Sequence, residues 1–461
     1  MKVNATHDIQ QVNTVLPTSK ITLFFKQFNV VNLAGRCGIS KTKGVSPGTL
    51  LMTLVSLPFL GQNIFRAVVS NPRCDIGKDA VYDFLASSRF SWRRFLLRLA
   101  LNATAMLDGL THKDRESVLI LDDTAIERPR AKKVELLARI FDHCEGRFLR
   151  GFRMLTLAWS DGASLVPLDF ALLSSADPCN RYQNAVKAVD RRSCGAKRRR
   201  EATTKSTALL VPMLRRALAA GAKARYLLMD SWFGFPAVIC ALCPLLPVIC
   251  MVKKTPKILY GFGGKRRTLE GVYRELKKRR GRAKVLASAV IALNDGQSAR
   301  LVFVRDRRKK DWLALLSTDI NLPEADVVRI YGKRWDIEVF FRTAKQFLGL
   351  EKGCQARDFD ALIAHATIVL MRYIILSVEQ RRTADPRTLG MLFHACCEEM
   401  RDLSYLESLT RILEMALARL RQSGHWPEQA YQAMADAILG QTIDFFGWKP
   451  AVCQRTQADA A

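Results

Sequence analysis

The sequence predicts an α/β core that carries a β-rich insertion and is flanked by helical N- and C-terminal regions. Two continuous apolar runs, 118–121 and 226–229, each end in an aspartate, as is typical of strands buried on both faces. The flanks instead show apolar residues at helical spacing, and residues 253–320 combine alternating apolar stretches with basic clusters. A chain of 461 residues is also long enough for several domains.

The residue pattern of the N-terminal region predicts helices. Ser46-Pro47 is a helix start, with serine as the cap and proline at the first helical position. A second amphipathic segment covers Val81 to Leu107. Small basic helical modules often bind DNA, but a helical packing domain would give the same periodicity.

For the core, the sequence predicts elements in the order strand, strand, strand, helix, strand, helix, strand. In that order the segments are 118–121, 154–160, 165–172, 204–220, 226–229, 235–243 and 247–252. The apolar run 235–252 is nearly long enough to span a bilayer, but its three prolines favour a buried helix followed by a strand. From about Pro323 to Phe446 the chain is predicted to be helical. The first nineteen residues lack a signal-peptide pattern, which argues against secretion.

A formal charge of +29 is the strongest compositional signal, and it indicates a polyanionic partner, most commonly nucleic acid. The alternative is a ribosome-like or merely basic surface. Residues 251–311 hold a net +14 and residues 186–200 a net +6, so the excess is concentrated in and beside the core. Such a distribution predicts strongly salt-dependent DNA binding.

The cysteines, histidines and glycines give little evidence of a metal site or a nucleotide-binding site. The twelve cysteines lie scattered through apolar stretches, which is typical of reduced core thiols, and Cys240 and Cys243 are only a weak zinc signal. The six histidines show no metal-ligand spacing. Gly261 to Gly264 lacks the strand-to-helix context of a nucleotide-binding loop.

Two aspartates and one polar helix face carry the predicted chemistry. Asp122 and Asp230 follow buried strands, where α/β domains place ligands, although such an aspartate can also merely cap the next helix. A second set of polar residues has spacings of three and four, which puts them on one face of a helix. These residues are Tyr331, Arg334, Glu338, Arg342 and Lys345. The face could be a solvated, salt-bridged surface, but the apolar residues around it indicate a helix packed into the protein.

Tyr331, Arg334, Glu338 and Lys345 resemble the Y-x2-R-x3-E-x6-K signature of bacterial insertion-sequence transposases of the insertion-sequence-4 type. The resemblance, including both strand-end aspartates in order, covers about residues 115 to 350. It implies a ribonuclease H-like DDE core. The divisions we expect are an N-terminal DNA-binding region (1–112), the core (113–252), the insertion (253–320), the signature helix (321–350), a C-terminal helical region (351–446) and a tail (447–461).

The resemblance implies that Asp122, Asp230 and Glu338 are the catalytic and metal-binding residues, with Asp123 as the fallback for the first. Three carboxylates and no suitably spaced His or Cys favour two Mg²⁺ ions, or Mn²⁺, over zinc. Two such ions can activate the nucleophilic oxygen and stabilise the leaving oxygen of a phosphodiester.

Twelve residues are predicted to contact DNA: Tyr331, Arg334, Arg342, Lys345, Trp312, Arg198, Arg199, Arg200, Lys277, Lys278, Arg279 and Arg280. The basic runs, which also include Arg307 to Lys310, could instead be solvated loops. Trp312 matches a tryptophan that the family associates with a flipped base, but a core tryptophan is an equal alternative. Trp232 is a second possible base platform, which we expect to pack against the core.

The implied protein is a bacterial cytoplasmic, nucleoid-associated transposase and not a membrane protein. It would bind the terminal inverted repeats of its element as a homodimer, cut double-stranded DNA through a hairpin, and join the ends to target DNA. Two alternatives are a non-catalytic DNA-binding protein derived from a transposase, and a related nuclease without strand transfer.

Overall fold

The structure is a computed structural model. It describes residues 18–71, 74–112, 115–142, 145–186, 189–280, 283–294, 296–306, 311–422 and 427–445. The basic run 307–310 and the predicted tail 447–461 lie outside the described residues.

One mixed sheet organises the described part of the chain. Its strands are β1 (Val118–Glu127), β2 (Ala138–Asp142), β3 (Arg147–Ser160), β4 (Leu165–Leu173), β5 (Tyr226–Met229), β6 (Val248–Val252), β7 (Leu259–Phe262), β8 (Lys265–Thr268), β9 (Val285–Ala292), β10 (Ser298–Asp306) and β11 (Asp311–Ser317). The strand order is β2-β3-β1-β5-β6-β11-β10-β9-β7-β8, and β4 pairs with β3.

The first half of the sheet has a ribonuclease H-like arrangement. Strands β1, β3 and β4 pair antiparallel, whereas β1, β5 and β6 pair in parallel. Strands β5 and β6 are short runs of mostly buried residues, as is typical of strands covered on both faces. The predicted α/β core is therefore confirmed. The sequence did not predict β2 or the first seven residues of β3.

The β-rich insertion is part of the same sheet. Strand β11 pairs antiparallel with β6, and β10 and β9 extend the sheet from there. A hairpin of β7 and β8 and one helix complete this segment. The insertion therefore widens the core sheet, and its backbone hydrogen bonds continue those of the core.

The described helices are α1 (Lys20–Gln27), α2 (Val30–Arg36), α3 (Pro47–Ser56), α4 (Lys78–Leu85), α5 (Trp92–Gly109), α6 (Cys194–Ala202), α7 (Ser206–Ala219), α8 (Pro236–Leu242), α9 (Leu269–Glu275), α10 (Glu324–Gly332), α11 (Trp335–Gln346), α12 (Phe359–Arg382), α13 (Leu389–Gln422) and α14 (Glu428–Phe445). A π-helical turn spans Phe65–Val69 and a 3₁₀ turn spans Pro178–Asn180.

In the N-terminal region, one helix begins where the sequence predicts, but the second predicted helix is divided into two. The Ser46 hydroxyl accepts a hydrogen bond from the Thr49 amide, which caps α3 as expected. The segment predicted from Val81 to Leu107 is two helices, α4 and α5, separated by residues 86–91. The buried Phe90 and Trp92 pack edge-on at this junction, so tertiary contacts shape the break.

Helix α12 lies at the centre of the fold. It packs against α3, α4, α5, α11 and β4. Among the described helices it alone is long and apolar enough to cross a membrane, but its apolar stretch is entirely buried within the protein. It therefore joins the N-terminal helices to the sheet as a core helix.

Candidate active site

Strand register brings the two predicted aspartates together. In the parallel pair of β1 and β5, Leu121 lies opposite Met229. The next residues along each strand are Asp122 and Asp230, so both follow the same row of the sheet. Neighbouring strands lie about 4.8 Å apart, which makes these two carboxylates close neighbours at one edge of the core.

The polar face that carries Glu338 is not on one uninterrupted helix. The predicted single helix is wrong, because α10 ends at Gly332 and α11 begins at Trp335. Between them, Lys333 and Arg334 keep right-handed helical backbone angles but form tighter bonds between residues three apart. Across this tight turn, Arg334 still contacts both Tyr331 and Glu338.

Arg334 links the helix to the strand. Its Nη1 donates to Asp122 Oδ2 at 3.0 Å, and its Nη2 donates to Glu338 Oε1. Its guanidinium carbon lies 5.9 Å from the centre of the Tyr331 ring. The arginine thus gathers one aspartate and the glutamate around one cation.

Burial dominates the electrostatics of this edge. It raises the pKa of Asp122 to about 7, although Arg334 acts in the opposite direction. Burial likewise raises the pKa of Tyr331, whose buried hydroxyl has no hydrogen-bond partner in the part of the chain that the structure describes. A buried, unpartnered hydroxyl beside carboxylates indicates a place where a further polar group can bind.

The two adjacent aspartates of β1 have different surroundings. Successive side chains of a strand point to opposite faces. The Asp123 carboxylate accepts a hydrogen bond from Arg153 Nη1 at 2.7 Å, and its side chain is 8% exposed. The structure therefore brings Asp122, and not Asp123, into contact with Arg334.

Lys345 and Arg342 are placed differently from each other. The Lys345 ammonium donates to the Ala125 carbonyl at 2.6 Å and pairs with Glu351 at 3.2 Å. It therefore anchors α11 to the end of β1. Arg342, one turn beyond Glu338, is exposed to solvent.

The donor set fits a hard divalent cation by type, because its three members are carboxylates. Within the described ranges, no three Asp, Glu, His or Cys side chains lie close enough together to hold one ion. Arg334 occupies the position between Asp122 and Glu338. By chemical type these carboxylates would suit Mg²⁺ or Mn²⁺, and in the structure Arg334 is the cation that pairs with two of them.

The two tryptophans of interest lie in contrasting environments. Trp312 stacks on Tyr273, with ring centres 4.6 Å apart, and meets Phe303 edge-on at 5.1 Å. Lys254 Nζ lies 3.9 Å from the Trp312 ring centre. Trp232, which we expected to pack against the core, is instead 38% exposed.

The basic run on α6 requires a correction. Arg198 and Arg199 are only 8% and 7% exposed, and both donate to the carboxylate of Asp360. Arg199 also pairs with Glu135. These two arginines are thus not available for the predicted phosphate contacts, because they form a buried ion network that joins α6 to α12.

The other predicted basic contacts are exposed. Arg200 donates to the Arg191 carbonyl but remains at the surface. All four residues from Lys277 to Arg280 are exposed, and Arg279 pairs with Glu324 at 2.7 Å. Because Glu324 begins α10, this run lies beside the start of the helix that carries Tyr331.

Two residues near the acids were missed from the sequence, Phe235 and Lys253. Phe235 is one of three aromatic residues shortly after the end of β5, together with Trp232 and Phe233. Lys253 directly follows β6, the parallel neighbour of β5. A signal was present, because residues after adjacent parallel strands meet at one sheet edge.

Two family models match parts of this chain. Residues 62–242, which include both aspartates, match the family model described as DDE superfamily endonuclease. Residues 286–381, which include Glu338, match the family model described as archaeal putative transposase ISC1217. A search of curated proteins found no match. The two family matches support a DDE transposase-type function and a nuclease-type enzyme, and nucleases of the DDE superfamily use divalent metals.

Proposed function

We propose that this chain is a transposase of the insertion-sequence-4 type that moves a DNA element by metal-dependent cut-and-paste transposition. One observation carries the proposal. Asp122 and Asp230 follow paired residues of adjacent parallel strands, and Arg334 joins Asp122 to Glu338. The order of these acids along the chain is that of the family signature.

In this proposal Asp122, Asp230 and Glu338 hold two Mg²⁺ ions, or Mn²⁺. Such ions, when bound, activate the attacking oxygen and stabilise the leaving oxygen of a phosphodiester. The protein's own side chains position the DNA. Arg334 would present a fork of donors to a phosphate, and the Tyr331 hydroxyl, which has no hydrogen-bond partner among the described residues, would donate to a phosphate oxygen.

In this proposal, exposed basic side chains make the remaining contacts with DNA phosphates. Arg342 lies on the same helix as Glu338, and Lys277 to Arg280 lie beside the start of α10. Contacts from such residues go to phosphates and fix the register of the duplex without reading its sequence. We assign recognition of the terminal repeats to residues 1–112, the catalytic core to 113–252 and 321–350, and the extra strands to 253–320.

Synapsis of two DNA ends requires two copies of the active site, so we propose that the enzyme acts as a homodimer. Helices within residues 351–446 are the proposed interface. Light scattering of the complex with end DNA should give a mass of two protein chains. A single chain per complex would refute the dimer without affecting the assignment of the acids.

Glu338→Gln tests the catalytic assignment. The substitution keeps the size of the side chain but removes its charge, so cleavage of the element ends in Mg²⁺ should fall by at least about 1000-fold. End binding, measured by gel shift, should remain within about twofold because the phosphate-binding cations are untouched. Cleavage at the wild-type rate would show that Glu338 is not a catalytic acid.

Joining distinguishes a transposase from a nuclease that only hydrolyses. The substrate is an element end that already carries a free 3′-hydroxyl, mixed with supercoiled target plasmid. A transposase should yield covalently joined product with the wild-type chain and none with Glu338→Gln. Hydrolysis without any joined product would favour the nuclease, and a hairpin at the cut end, resolved on a denaturing gel, would support the hairpin route.

A further inference from the structure

A cavity away from the candidate active site lies where helices from both ends of the chain meet the sheet. Its volume is about 370 Å³, within the range of pockets that hold small molecules. Residues of α5, β4, α6, α7 and α12 line it, and none of the predicted catalytic acids does. It is therefore a separate candidate binding site.

The walls of the cavity are largely apolar. They include one residue of α5, three consecutive residues of β4 and one residue of α12, all of them buried: Leu97, Phe170, Ala171, Leu172 and Ile363. Small-molecule sites typically combine such walls with a few well-placed polar groups. The polar groups therefore decide whether this cavity is a packing gap or a binding site.

A buried indole N–H supplies one such polar group. Trp92 lines the cavity and is fully buried, and its Nε1 has no hydrogen-bond acceptor among the described residues. Phe84, Phe90 and Phe95 pack edge-on around its ring and hold it in place. Buried tryptophan N–H groups usually have a partner, so this one indicates a ligand atom that accepts a hydrogen bond.

The start of α5 adds further donors at the same place. Ser91 at its N-cap makes no capping hydrogen bond with its side chain, and the helix is 18 residues long. The first amides of a helix have no acceptor within it, and the helix dipole makes this end partly positive. Ser91, Trp92, Arg93 and Arg94 all line the cavity. A helix start by itself is commonly solvated, but this one coincides with the unpartnered indole.

Two cations outside any ion pair give the cavity its charge. Among the described residues, five basic side chains line it, but Arg93, Arg198 and Arg216 are each paired with a carboxylate that is at most 1% exposed. Arg94 and Lys197 are exposed and form no ion pair within the described part of the chain. The charge that remains available to a ligand is therefore positive, which favours an anion.

We propose that this cavity binds a small organic acid. The carboxylate of the acid pairs with Arg94 and Lys197, and its apolar body lies along Leu97 and the residues of β4. An acceptor oxygen takes the hydrogen bond of the Trp92 N–H. Binding at this cavity requires neither a metal ion nor DNA, so it can be tested apart from the proposed function.

Three probes that differ in single groups test the site by isothermal titration of the full chain. Benzoylpropionate, with its phenyl ring at the end of the chain, has a carboxylate, an apolar body and a carbonyl oxygen. Phenylbutyrate replaces that carbonyl by a methylene group, and benzoylpropionamide removes the charge. Benzoylpropionate should bind with a dissociation constant of about 1 mM or below. Each of the other two should bind about 3- to 10-fold more weakly, because it lacks one hydrogen bond or the ion pairs.

Substitutions on two helices locate the charged contact. Arg94→Gln combined with Lys197→Gln should weaken binding of the two carboxylate probes but not of the neutral amide. Arg98→Gln combined with Arg200→Gln is the matched control, because it removes exposed cations of the same two helices that do not line the cavity. The control should bind all three probes as wild type does.

Two further variants probe the inside of the cavity. Trp92→Phe keeps an aromatic ring but lacks the donor, so it should bind benzoylpropionate and phenylbutyrate with equal affinity. Ala171→Leu should fill the cavity and abolish binding of all three probes, provided that circular dichroism shows the native fold.

Four results would overturn the site. They are no saturable binding of benzoylpropionate up to about 10 mM, inorganic phosphate binding as tightly as the carboxylates, equal losses in the double variant and its control, and wild-type binding by a folded Ala171→Leu. An unchanged preference of Trp92→Phe for the carbonyl probe would refute the indole contact. The cleavage assay with Glu338→Gln tests the proposed function separately, so either proposal can fail alone.

Discussion

Arg334 is the residue on which the geometry of the acidic site depends. It bridges two carboxylates that come from different elements, Asp122 on β1 and Glu338 on α11. A lysine could not replace it, because a single ammonium lacks the planar fork that reaches both groups. This guanidinium balances part of the negative charge of the two carboxylates.

A buried histidine on α12 gives a pH-dependent prediction. His365 Nε2 lies 3.0 Å from the Gly349 carbonyl, and burial lowers the pKa of His365 to about 3. The unfolded chain takes up a proton below about pH 6.5 whereas the folded chain does not, so stability falls as pH drops from there towards 3. Between pH 7 and pH 5 this group alone should remove about 2 kcal/mol of unfolding free energy.

His365→Gln measures that contribution. The variant should be less stable at pH 7, but its unfolding free energy in urea should fall by about 2 kcal/mol less than wild type on going to pH 5. His394→Gln is the matched control for the substitution itself, because His394 is exposed whereas His365 is buried. Parallel curves for wild type and His365→Gln would contradict a neutral buried histidine.

Local sequence was enough to single out the two aspartates, but it did not show which basic residues are buried. Asp122 and Asp230 were found because each follows a run of buried apolar residues, and strand pairing then brought them together. Arg198 and Arg199 were assigned to DNA because their run resembles other basic loops. Their partner Asp360 lies more than 160 residues away, and nothing near the run in sequence indicates that pairing.

At the scale of elements, the short connections determine what the site can do. The tight turn at Lys333 and Arg334 interrupts the helix, yet Arg334 still contacts Tyr331 and Glu338 across it. Periodicity thus predicted that these three side chains lie together but not the break in the helix. The turn after β5 holds Trp232 outward because Phe233 is buried and Gly234 packs on β6, contacts that depend on tertiary structure.

The two basic segments should respond to mutation in opposite ways. Arg199→Ala leaves Glu135 and Asp360 short of a buried partner, so it should destabilise the fold by about 3–5 kcal/mol. Thermal unfolding measures this change. Replacing Lys277 to Arg280 by alanine should barely alter the melting temperature, since all four side chains are exposed.

DNA binding at several salt concentrations provides the complementary readout. The alanine variant of residues 277–280 should bind duplex DNA more weakly, and its salt dependence should lose a slope of about 0.9 for each phosphate contact removed. A variant with unchanged affinity and slope would show that this run is only a solvated loop. Arg200→Ala serves as the comparison for a single exposed cation.

For the whole molecule, one continuous sheet explains how distant segments form one site. The acids come from β1, from the turn after β5, and from α11, while β9 to β11 extend the same sheet beyond β6. The alternating pattern of residues 253–320 correctly predicted strands. It could not indicate that β11 pairs with β6, because pairing depends on register between segments separated by 58 residues or more.

The structure shows which of the basic residues lie at the surface and which are buried. Much of the net +29 lies in residues 251–311, and one exposed cation of that segment, Arg279, pairs with Glu324 at the start of α10. Two of the cations in residues 186–200 are instead neutralised inside the protein. The surface available to DNA is therefore smaller than composition suggests, and it is concentrated on the insertion.

We propose that Asp122, rather than Asp123, is the first acid of a metal-dependent DNA-cleaving site. The most direct measurement compares Asp122→Asn with Asp123→Asn in single-turnover cleavage of element-end DNA in Mg²⁺. Asp122→Asn should lose at least about 1000-fold in rate, whereas Asp123→Asn should cleave within about tenfold of wild type after correction for its folded fraction. Wild-type cleavage by Asp122→Asn, or an equal loss in a folded Asp123→Asn, would contradict the assignment.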